Sequence, residues 1–285
     1  MRLEEFSADI AMGRIGGLRG GEPGGTRVLA LHGWLDNAAS FVPLSAHLSG
    51  VELVIPDLPG HGHSVHIGPG AEYTSGVAVN AVLDLADALG WDEFCLLGHS
   101  MGAGIASLLA ASSPQRVRRL LVIEALGGLS ETVDRTAARW QEAITAARAL
   151  PGKRLRVFTD VATPIRARMQ ANQLSEANAR LLVERGIRAV DGGYVWSSDQ
   201  RLTLPTPQRL DETQIAALVA DISCPTRVIF AEPAQPYFPE PLRSQRAALL
   251  PDGELIVMPG THHLHMEDPA GVARAIGDFF TMAGA

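Results

Sequence analysis

One segment, residues 94–110, constrains the fold of this chain more than any other. An apolar run, Phe94-Cys95-Leu96-Leu97, leads directly into the pattern Gly-x-Ser-x-Gly, in which Ser100 is the central serine. The residues that follow are small or apolar at helical spacing. Strand, sharp turn and helix in this order predict that Ser100 lies on a tight turn with its hydroxyl exposed. We therefore expect Ser100 to be a nucleophile, and a glycine-rich link without chemistry is the alternative.

The composition is that of an ordinary globular protein. With 285 residues, 46% of them hydrophobic and 19% charged, the chain can bury one large core, alone or with a sizeable insertion. The formal net charge of −7 gives no basic face, so we expect no nucleic-acid partner. Cys95 and Cys224 lie within or beside apolar runs, and neither a secretory signal nor a membrane-spanning run is visible. We therefore expect a soluble cytoplasmic protein without a membrane partner, either a monomer or a homodimer.

Strand-like and helix-like segments alternate in the first half of the chain. Four short apolar runs are typical of strands buried on both faces: residues 27–31, 53–56, 94–97 and 119–123. An earlier strand is expected within residues 10–18, and a helix at residues 77–89 ends at Gly90. This alternation predicts a mostly parallel sheet flanked by helices, with ligand chemistry at the carboxyl ends of the strands.

The alternation stops after Glu124. The next apolar strand pattern, residues 226–231, comes about a hundred residues later, whereas a strand-helix-strand unit needs roughly thirty. The intervening chain is mostly helical by pattern. We interpret residues 129–214 as a mainly helical cap, inserted after the sixth strand over a core formed by residues 1–128 and 215–285. A second domain beside the sheet is the alternative.

A serine hydroxyl becomes a good nucleophile only when a base takes its proton, and the base needs an orienting carboxylate. Three of the nine histidines follow the last predicted strand, residues 254–258, which we also expect to be buried. The chain order serine, acid, histidine places the base there. His262 comes first after the strand and is our predicted base. His263 is the main rival, and His265 is expected to be a packed or capping residue.

The orienting carboxylate has two candidates. Glu124 follows four apolar residues at the predicted end of a strand, where an ionised carboxylate is costly unless it is paired. Glu232 is the only carboxylate in the turn after residues 226–231, and a proline follows it. We predict that Glu124 orients His262 and keep Glu232 as the alternative. A structural ion pair with a cap arginine would also explain Glu124.

The negative charge that develops on the carbonyl oxygen needs two backbone donors. The N–H of Met101 follows the nucleophile at the start of the predicted helix. The second donor is expected after the strand at residues 27–31, where the chain reads His32-Gly33-Trp34. We therefore predict that the backbone N–H groups of Trp34 and Met101 form an oxyanion hole, and an ordinary strand-ending turn is the alternative.

Together these residues resemble the α/β-hydrolase superfamily over essentially the whole chain. The resemblance is carried by His32-Gly33-Trp34, by residues 57–64, by the Gly-x-Ser-x-Gly turn and by residues 262–269. Residues 194–202 of the cap and the pair Asp36-Asn37 resemble, more narrowly, the serine hydrolase-like proteins within that superfamily. The resemblance implies the α/β-hydrolase fold and a small-molecule acyl substrate.

The chain departs from the commoner pattern of this superfamily at its acid. Many members carry that residue in the turn after the strand that follows the cap, and Ala234 stands there in this sequence. Some haloalkane dehalogenases instead carry a glutamate at the place of Glu124. Those enzymes use an aspartate nucleophile, so Ser100 argues for acyl transfer and against dehalogenation.

The predicted function is that of a carboxylesterase-like serine hydrolase that uses neither a cofactor nor a metal ion. A non-catalytic ligand-binding protein on a hydrolase scaffold is one alternative, and Ala234 favours it slightly. A metal-dependent hydrolase is another, because His61-x-His63-x-x-His66 approaches a dinuclear metal motif, although Val65 replaces its aspartate.

The substrate is the least constrained part of this prediction. Three cap arginines, Arg166, Arg168 and Arg201, accompany apolar positions at Met169, Leu181 and Val195. Such a pocket would suit an ester or thioester with an acidic part, but a solvated helix face explains the arginines equally well.

Overall fold

The computed structural model describes residues 1–281, and one large sheet forms the centre of this part of the chain. The strands are β1 (Leu3–Ile10), β2 (Gly13–Gly21), β3 (Thr26–Leu31), β4 (Val51–Pro56), β5 (Phe94–His99), β6 (Val117–Ile123), β7 (Ile187–Val190), β8 (Gly193–Trp196), β9 (Thr226–Glu232) and β10 (Gly253–Pro259). Eight of them form the main sheet in the order β1-β2-β4-β3-β5-β6-β9-β10, and β7 and β8 form a separate antiparallel hairpin. The strands from β4 to β10 in the main sheet pair in parallel, so the predicted mostly parallel sheet is confirmed.

Helices cover both faces of this sheet. They are α1 (Val42–Ser45), α2 (Ser75–Ala88), α3 (Met101–Ser112), α4 (Thr136–Ala149), α5 (Ala162–Asn172), α6 (Glu176–Gly186), α7 (Glu212–Ala220), α8 (Leu242–Ala247), α9 (Leu264–Glu267) and α10 (Pro269–Ile276). Alternate residues of a strand point to opposite faces. Accordingly, Leu29 and Leu31 of β3 belong to one buried apolar cluster, and Val28 and Ala30 belong to the other.

The two ends of the sheet differ from the prediction. The strand expected within residues 10–18 is β2, but the sequence did not predict β1, which forms an antiparallel hairpin with it; β2 also pairs antiparallel with β4. The last strand, β10, is not buried, since Leu255 is 36% and Val257 48% exposed. It lies at the edge of the sheet with β9 as its partner, so its neighbours cover less of it than they would cover a central strand.

The segment between β6 and β9 carries α4, α5, α6, the β7–β8 hairpin and α7. We keep the name cap for the part before α7, whose role as a lid stays a prediction. The small apolar cluster of this cap includes Leu182 and Val183 of α6 and also Met266 of the core, so cap and core share a buried contact. The boundary that we predicted at residues 214/215 falls inside α7. Because Ile215 and Val219 of that helix belong to the main core cluster, α7 packs as part of the core.

Two buried ion pairs also join the cap to the core. Arg168 of α5 pairs with Asp36, which follows β3. Arg185 of α6 pairs with Asp57, which follows β4, at a distance of 2.8 Å between Nη2 and Oδ2. Both carboxylates follow parallel strands, so the two pairs link α5 and α6 to the carboxyl ends of β3 and β4.

Within residues 1–281 we find no helix whose length and apolar character would allow it to cross a membrane.

Candidate active site

Ser100 lies on a strained turn between β5 and α3. Its backbone has φ +52° and ψ −117°, and such values cost about 1–3 kcal/mol for a residue with a side chain. Two glycines make the turn possible. A Cβ atom on Gly98 would lie 2.5 Å from the Cα atom of Ala103, and one on Gly102 would lie 2.0 Å from the carbonyl oxygen of Leu31. This crowding explains why positions 98 and 102, two residues before and after the serine, are both glycine.

His262 follows β10 and brings its imidazole to the serine. Its Nε2 atom is 2.9 Å from Ser100 Oγ, and the side chain is 19% exposed. The other ring nitrogen, Nδ1, is 3.1 Å from Glu124 Oε2. An ionised carboxylate can only accept a hydrogen bond, so Nδ1 carries the ring hydrogen and Nε2 is left as an acceptor. This tautomer can take the proton of the serine hydroxyl.

Glu124 directly follows β6, and its side chain is only 2% exposed. Its Oε1 atom accepts a hydrogen bond of 2.6 Å from the backbone N–H of Ala231, while Oε2 faces His262. Its backbone φ is +63°, an uncommon value for a residue other than glycine. Because both carboxylate oxygens have a donor, the cost of burying this charge is offset inside the site.

The rival residues have other partners. The side chain of Glu232 is 60% exposed and pairs with Arg243 at 3.2 Å. His263 is buried and donates from Nε2 to Asp36 Oδ2 at 3.1 Å. The structure therefore brings Ser100 and His262 together with Glu124, and it brings neither Glu232 nor His263 into that arrangement.

The two predicted oxyanion donors lie at neighbouring strand ends. Met101 is the first residue of α3, so its N–H has no acceptor within the helix. The end of β3 touches the same turn, because a Cβ atom on Gly102 would also lie 2.7 Å from the His32 carbonyl oxygen. Trp34 follows two residues later, and its indole Nε1 donates to the carbonyl of Leu202 at 2.8 Å. The N–H of Met101 therefore lies on the turn that carries the serine, and the assignment of the Trp34 N–H as the second donor stays a prediction.

Three further histidines, His99, His263 and His265, form a buried histidine cluster behind the site. His99 donates from Nε2 to the carbonyl oxygen of His262 at 2.8 Å, so it holds the backbone of the candidate base. The rings of His99 and His265 lie 4.1 Å apart between centroids. Neither ring nitrogen of His265 has a hydrogen-bond partner within residues 1–281. The cluster is packed like an apolar core although it is made of titratable groups.

Burial sets the charge state of this cluster. It holds the pKa of His99 and His265 well below the usual value, and repulsion from the neighbouring imidazoles lowers both further. Burial alone would raise the pKa of Asp36, but His263 and Arg168 outweigh it and hold that pKa well below its usual value. His99 and His265 are therefore neutral at pH 7, whereas Asp36 is ionised.

The lowered pKa values of His99 and His265 predict a loss of stability in mild acid. Below pH ~6.5 the unfolded chain binds protons at these positions and the folded chain does not, so the free energy of unfolding falls as the pH falls. We expect His265→Leu to weaken this dependence by roughly one proton, or about 1.5 kcal/mol between pH 6.5 and 5. Urea unfolding followed by circular dichroism at several pH values measures the slope.

The matched control is His47→Leu, because His47 is exposed just after α1. Its ring meets solvent in the folded and in the unfolded chain, so this variant should keep the wild-type slope. A slope that is identical in wild type and His265→Leu would contradict the prediction.

Two groups of residues invite comparison with metal ligands. His61, His63 and His66 do not meet: His61 accepts from the N–H of Leu35 at 3.3 Å, whereas His63 pairs with Glu5 at 3.6 Å. Burial and the nearby His32 lower the pKa of His61 to about 3. The geometry therefore does not support the dinuclear motif.

The second group does have compact ligand atoms. One atom each of Asp36, His99 and His263 lie within 4.8 Å of one another. The carboxylate of Asp36, however, is already paired with the guanidinium of Arg168. A cation placed there would meet a fixed positive charge, so we interpret this group as a hydrogen-bonded support for His262.

The predicted cap arginines have separate roles. Arg168 anchors α5 to Asp36, and Arg201 pairs with Asp199 at 2.6 Å. Arg166 is exposed and bonds to Thr163 of the same helix. None of these three contacts places an unpaired arginine beside Ser100.

One residue at the site, Tyr237, was not predicted from the sequence. The hydroxyl of Tyr237 is 3.1 Å from Nδ1 and 3.4 Å from Nε2 of His262, and the residue is 52% exposed. Burial and the charge of Glu124 raise the pKa of this phenol to about 12. Tyr237 lies in a proline-rich loop without a helix or strand pattern, and only the path of that loop brings it to the histidine.

Comparisons with known proteins identify the family of this chain. The family model for the alpha/beta hydrolase fold matches residues 26–199. A serine hydrolase-like protein of Dictyostelium discoideum is 31% identical over 270 residues, which cover 89% of this chain and 74% of the relative. A serine hydrolase-like protein of Danio rerio is 27% identical and is covered to 87%, with 96% of this chain aligned.

Solved structures with a similar fold were also found. A hypothetical protein from Pseudomonas aeruginosa PAO1 superposes with a TM-score of 0.90 at 39% identity, covering 97% of this chain and 99% of that one. The thioesterase domain from the curacin biosynthetic pathway superposes with a TM-score of 0.82 at 25% identity, covering 97% of this chain and 99% of that domain. The chain belongs to the α/β-hydrolase fold family. Its similarity to serine hydrolase-like proteins further supports its assignment as a hydrolase, and the family predicted from the sequence is confirmed.

Proposed function

We propose that this protein is a serine hydrolase that cleaves an ester or a related acyl bond through an acyl-enzyme. One observation carries the proposal: the side chains of Ser100, His262 and Glu124 form a continuous hydrogen-bonded chain of 2.9 and 3.1 Å. Each distance is that of an ordinary hydrogen bond. A base between a serine and a buried carboxylate is the arrangement that nucleophilic acyl transfer requires.

In the first half of the reaction, Ser100 Oγ attacks the carbonyl carbon while its proton passes to His262 Nε2. The imidazolium that forms lies beside Glu124, whose carboxylate stays ionised and stabilises the new positive charge. The bond between Nδ1 and Oε2 also keeps the ring from rotating. The backbone N–H groups of Met101 and Trp34 donate to the oxygen that becomes negative.

In the second half, His262 gives the proton to the leaving group as the tetrahedral intermediate collapses. Water then loses a proton to the same nitrogen and attacks the acyl-enzyme, and Ser100 is released with its proton restored. The proposal assigns no step to a metal ion or a cofactor. Because a thioesterase domain is among the structures similar to this chain, thioesters belong with oxygen esters among the acyl bonds to test.

A fluorophosphonate probe tests the activated serine directly. We expect wild-type protein to be labelled and Ser100→Ala to lose labelling by at least about 100-fold, since the probe reacts with a serine whose proton is removed by a base. Labelling is measured by intact-protein mass spectrometry. Ser112→Ala, a change at an exposed serine at the other end of α3, should label like wild type.

Equal labelling of wild type and Ser100→Ala would overturn the proposal and favour a ligand-binding protein on a hydrolase scaffold. Loss of esterase activity in EDTA would instead favour a metal-dependent hydrolase.

A further inference from the structure

A cleft of about 440 Å³ opens in the cap, lined by the 3₁₀ turns Leu150–Gly152 and Gln200–Thr203 and by the end of β8. We call it the cap cleft. Ser100, His262 and Glu124 do not line it. Its volume lies within the range of about 300–1,000 Å³ that is typical of small-molecule sites. The cap cleft is therefore large enough to hold a ligand, or part of one, away from the reacting atoms.

The charges of the cap cleft are unbalanced. Lys153, Arg188 and Arg201 line it together with a single carboxylate, that of Asp199. Asp199 is already neutralised, since it accepts from Arg201 Nη2 at 2.6 Å and from the hydroxyl of Tyr73 at 2.8 Å. The side chains of Lys153 and Arg188 form neither an ion pair nor a hydrogen bond with any of residues 1–281. The chain as a whole carries a net charge of −7. The cap cleft differs from it locally, because two unpartnered cations at one cleft attract an anion.

The rest of the lining is largely apolar. Leu150, Pro151, Leu155 and Trp196 contribute hydrocarbon or aromatic surface. Leu155 is 36% exposed. Exposed cations and apolar side chains line the same cleft, a combination that fits a molecule with both an anionic group and a hydrocarbon part.

The cap cleft is joined to the loop that carries the second candidate oxyanion donor. The indole of Trp34 donates to the carbonyl of Leu202 at 2.8 Å, and Leu202 follows two residues that line the cleft. On the inner side, a Cβ atom on Gly186 would lie 3.7 Å from the Trp196 ring and 3.2 Å from the amide of Asn37. The wall of the cleft thus packs against the segment that follows β3.

From these contacts we infer that the cap cleft binds the anionic end of the acyl substrate, a carboxylate or a phosphate, while the acyl group extends to Ser100. This inference rests on the proposed function. It narrows the substrate to esters or thioesters that carry a negative charge several bonds from the carbonyl carbon.

The test compares mono-p-nitrophenyl glutarate, p-nitrophenyl 4-phosphonobutyrate and the neutral p-nitrophenyl butyrate. In Lys153→Gln/Arg188→Gln we expect the ratio of KM for the acidic ester to KM for the neutral ester to rise about tenfold. This rise should be smaller in high salt, because salt screens exposed charges. Arg148→Gln/Arg154→Gln removes two exposed cations that do not line the cleft, so it should keep the wild-type ratio. Equal ratios in the two double variants would overturn the inference.

A binding measurement separates this inference from the proposed function. In the Ser100→Ala background, calorimetry should detect octanoate or octyl phosphate but not octanol, with affinity for the anion about tenfold weaker after Lys153→Gln/Arg188→Gln. Of octanoate and octyl phosphate, the one that binds more tightly shows whether the cleft prefers a carboxylate or a phosphate. If wild type cleaves no ester while the anions still bind, the proposed function fails and the cleft retains its ligand class. Equal binding of octanol and the anions would overturn the anion site itself.

Discussion

Replacement of Glu124 by glutamine is expected to lower kcat/KM for an ester substrate about 10⁴-fold, as the loss of the orienting carboxylate does in serine-histidine-aspartate enzymes. The reason lies in the two contacts of the side chain. The amide oxygen can still accept from the N–H of Ala231, as Oε1 does at 2.6 Å. The amide NH₂ group then faces His262 Nδ1, so the ring must place its hydrogen on Nε2. That tautomer cannot accept the proton of Ser100.

Steady-state kinetics with p-nitrophenyl butyrate measures this effect, and the unfolding temperature checks that the variant is folded. Glu232→Gln is the matched control, since it makes the same change at the exposed carboxylate of the next strand along the sheet. We expect its kcat/KM to stay within about twofold of wild type because it forms no contact with His262. Activity of Glu124→Gln within tenfold of wild type would remove Glu124 from the proposed mechanism. A large loss of kcat/KM in Glu232→Gln would indicate that Glu232 is the orienting carboxylate instead.

The second large effect concerns the attachment of the cap. We expect Arg185→Met to lower the free energy of unfolding by about 3–5 kcal/mol, because it leaves a buried carboxylate without its counter-ion. Asp57 is fully buried and receives both Nε and Nη2 of Arg185 at 2.8–3.1 Å. The backbone N–H groups of Ala38 and His63 remain as its donors, and they do not supply a positive charge.

Urea unfolding of Arg185→Met measures this loss. Arg180→Met, on the same helix, is the control: Arg180 pairs with Glu176 on an exposed surface, and such a pair is worth about 0.3–0.5 kcal/mol. The double variant Asp57→Asn/Arg185→Met should regain part of the loss, since it removes the unpaired charge. Equal stability of Arg185→Met and Arg180→Met would show that the buried pair does not fasten the cap.

The sequence also left clear limits on what could be predicted about the site. Ser100 and Met101 are adjacent in the chain, so a local strand-turn-helix pattern was enough to place both. Asp36 and His99 showed no local sign of their part in supporting His262, because that part depends on contacts between separate strand ends. The support became visible only when Asp36, His99 and His263 were found packed together.

By itself, the sequence determined the mostly parallel sheet, the turn at Ser100 and the family, because each follows from local periodicity and short motifs. Only the tertiary structure decided which side chains meet. His262 is separated from Ser100 by 162 positions and from Glu124 by 138, and contacts at such separations depend on how loops pack at the edge of the sheet. The same is true of the edge position of β10, of the arginines that fasten the cap and of the two unpartnered cations of the cap cleft. Burial and pairing are properties of the assembled molecule, and a pattern of neighbours in the chain does not contain them.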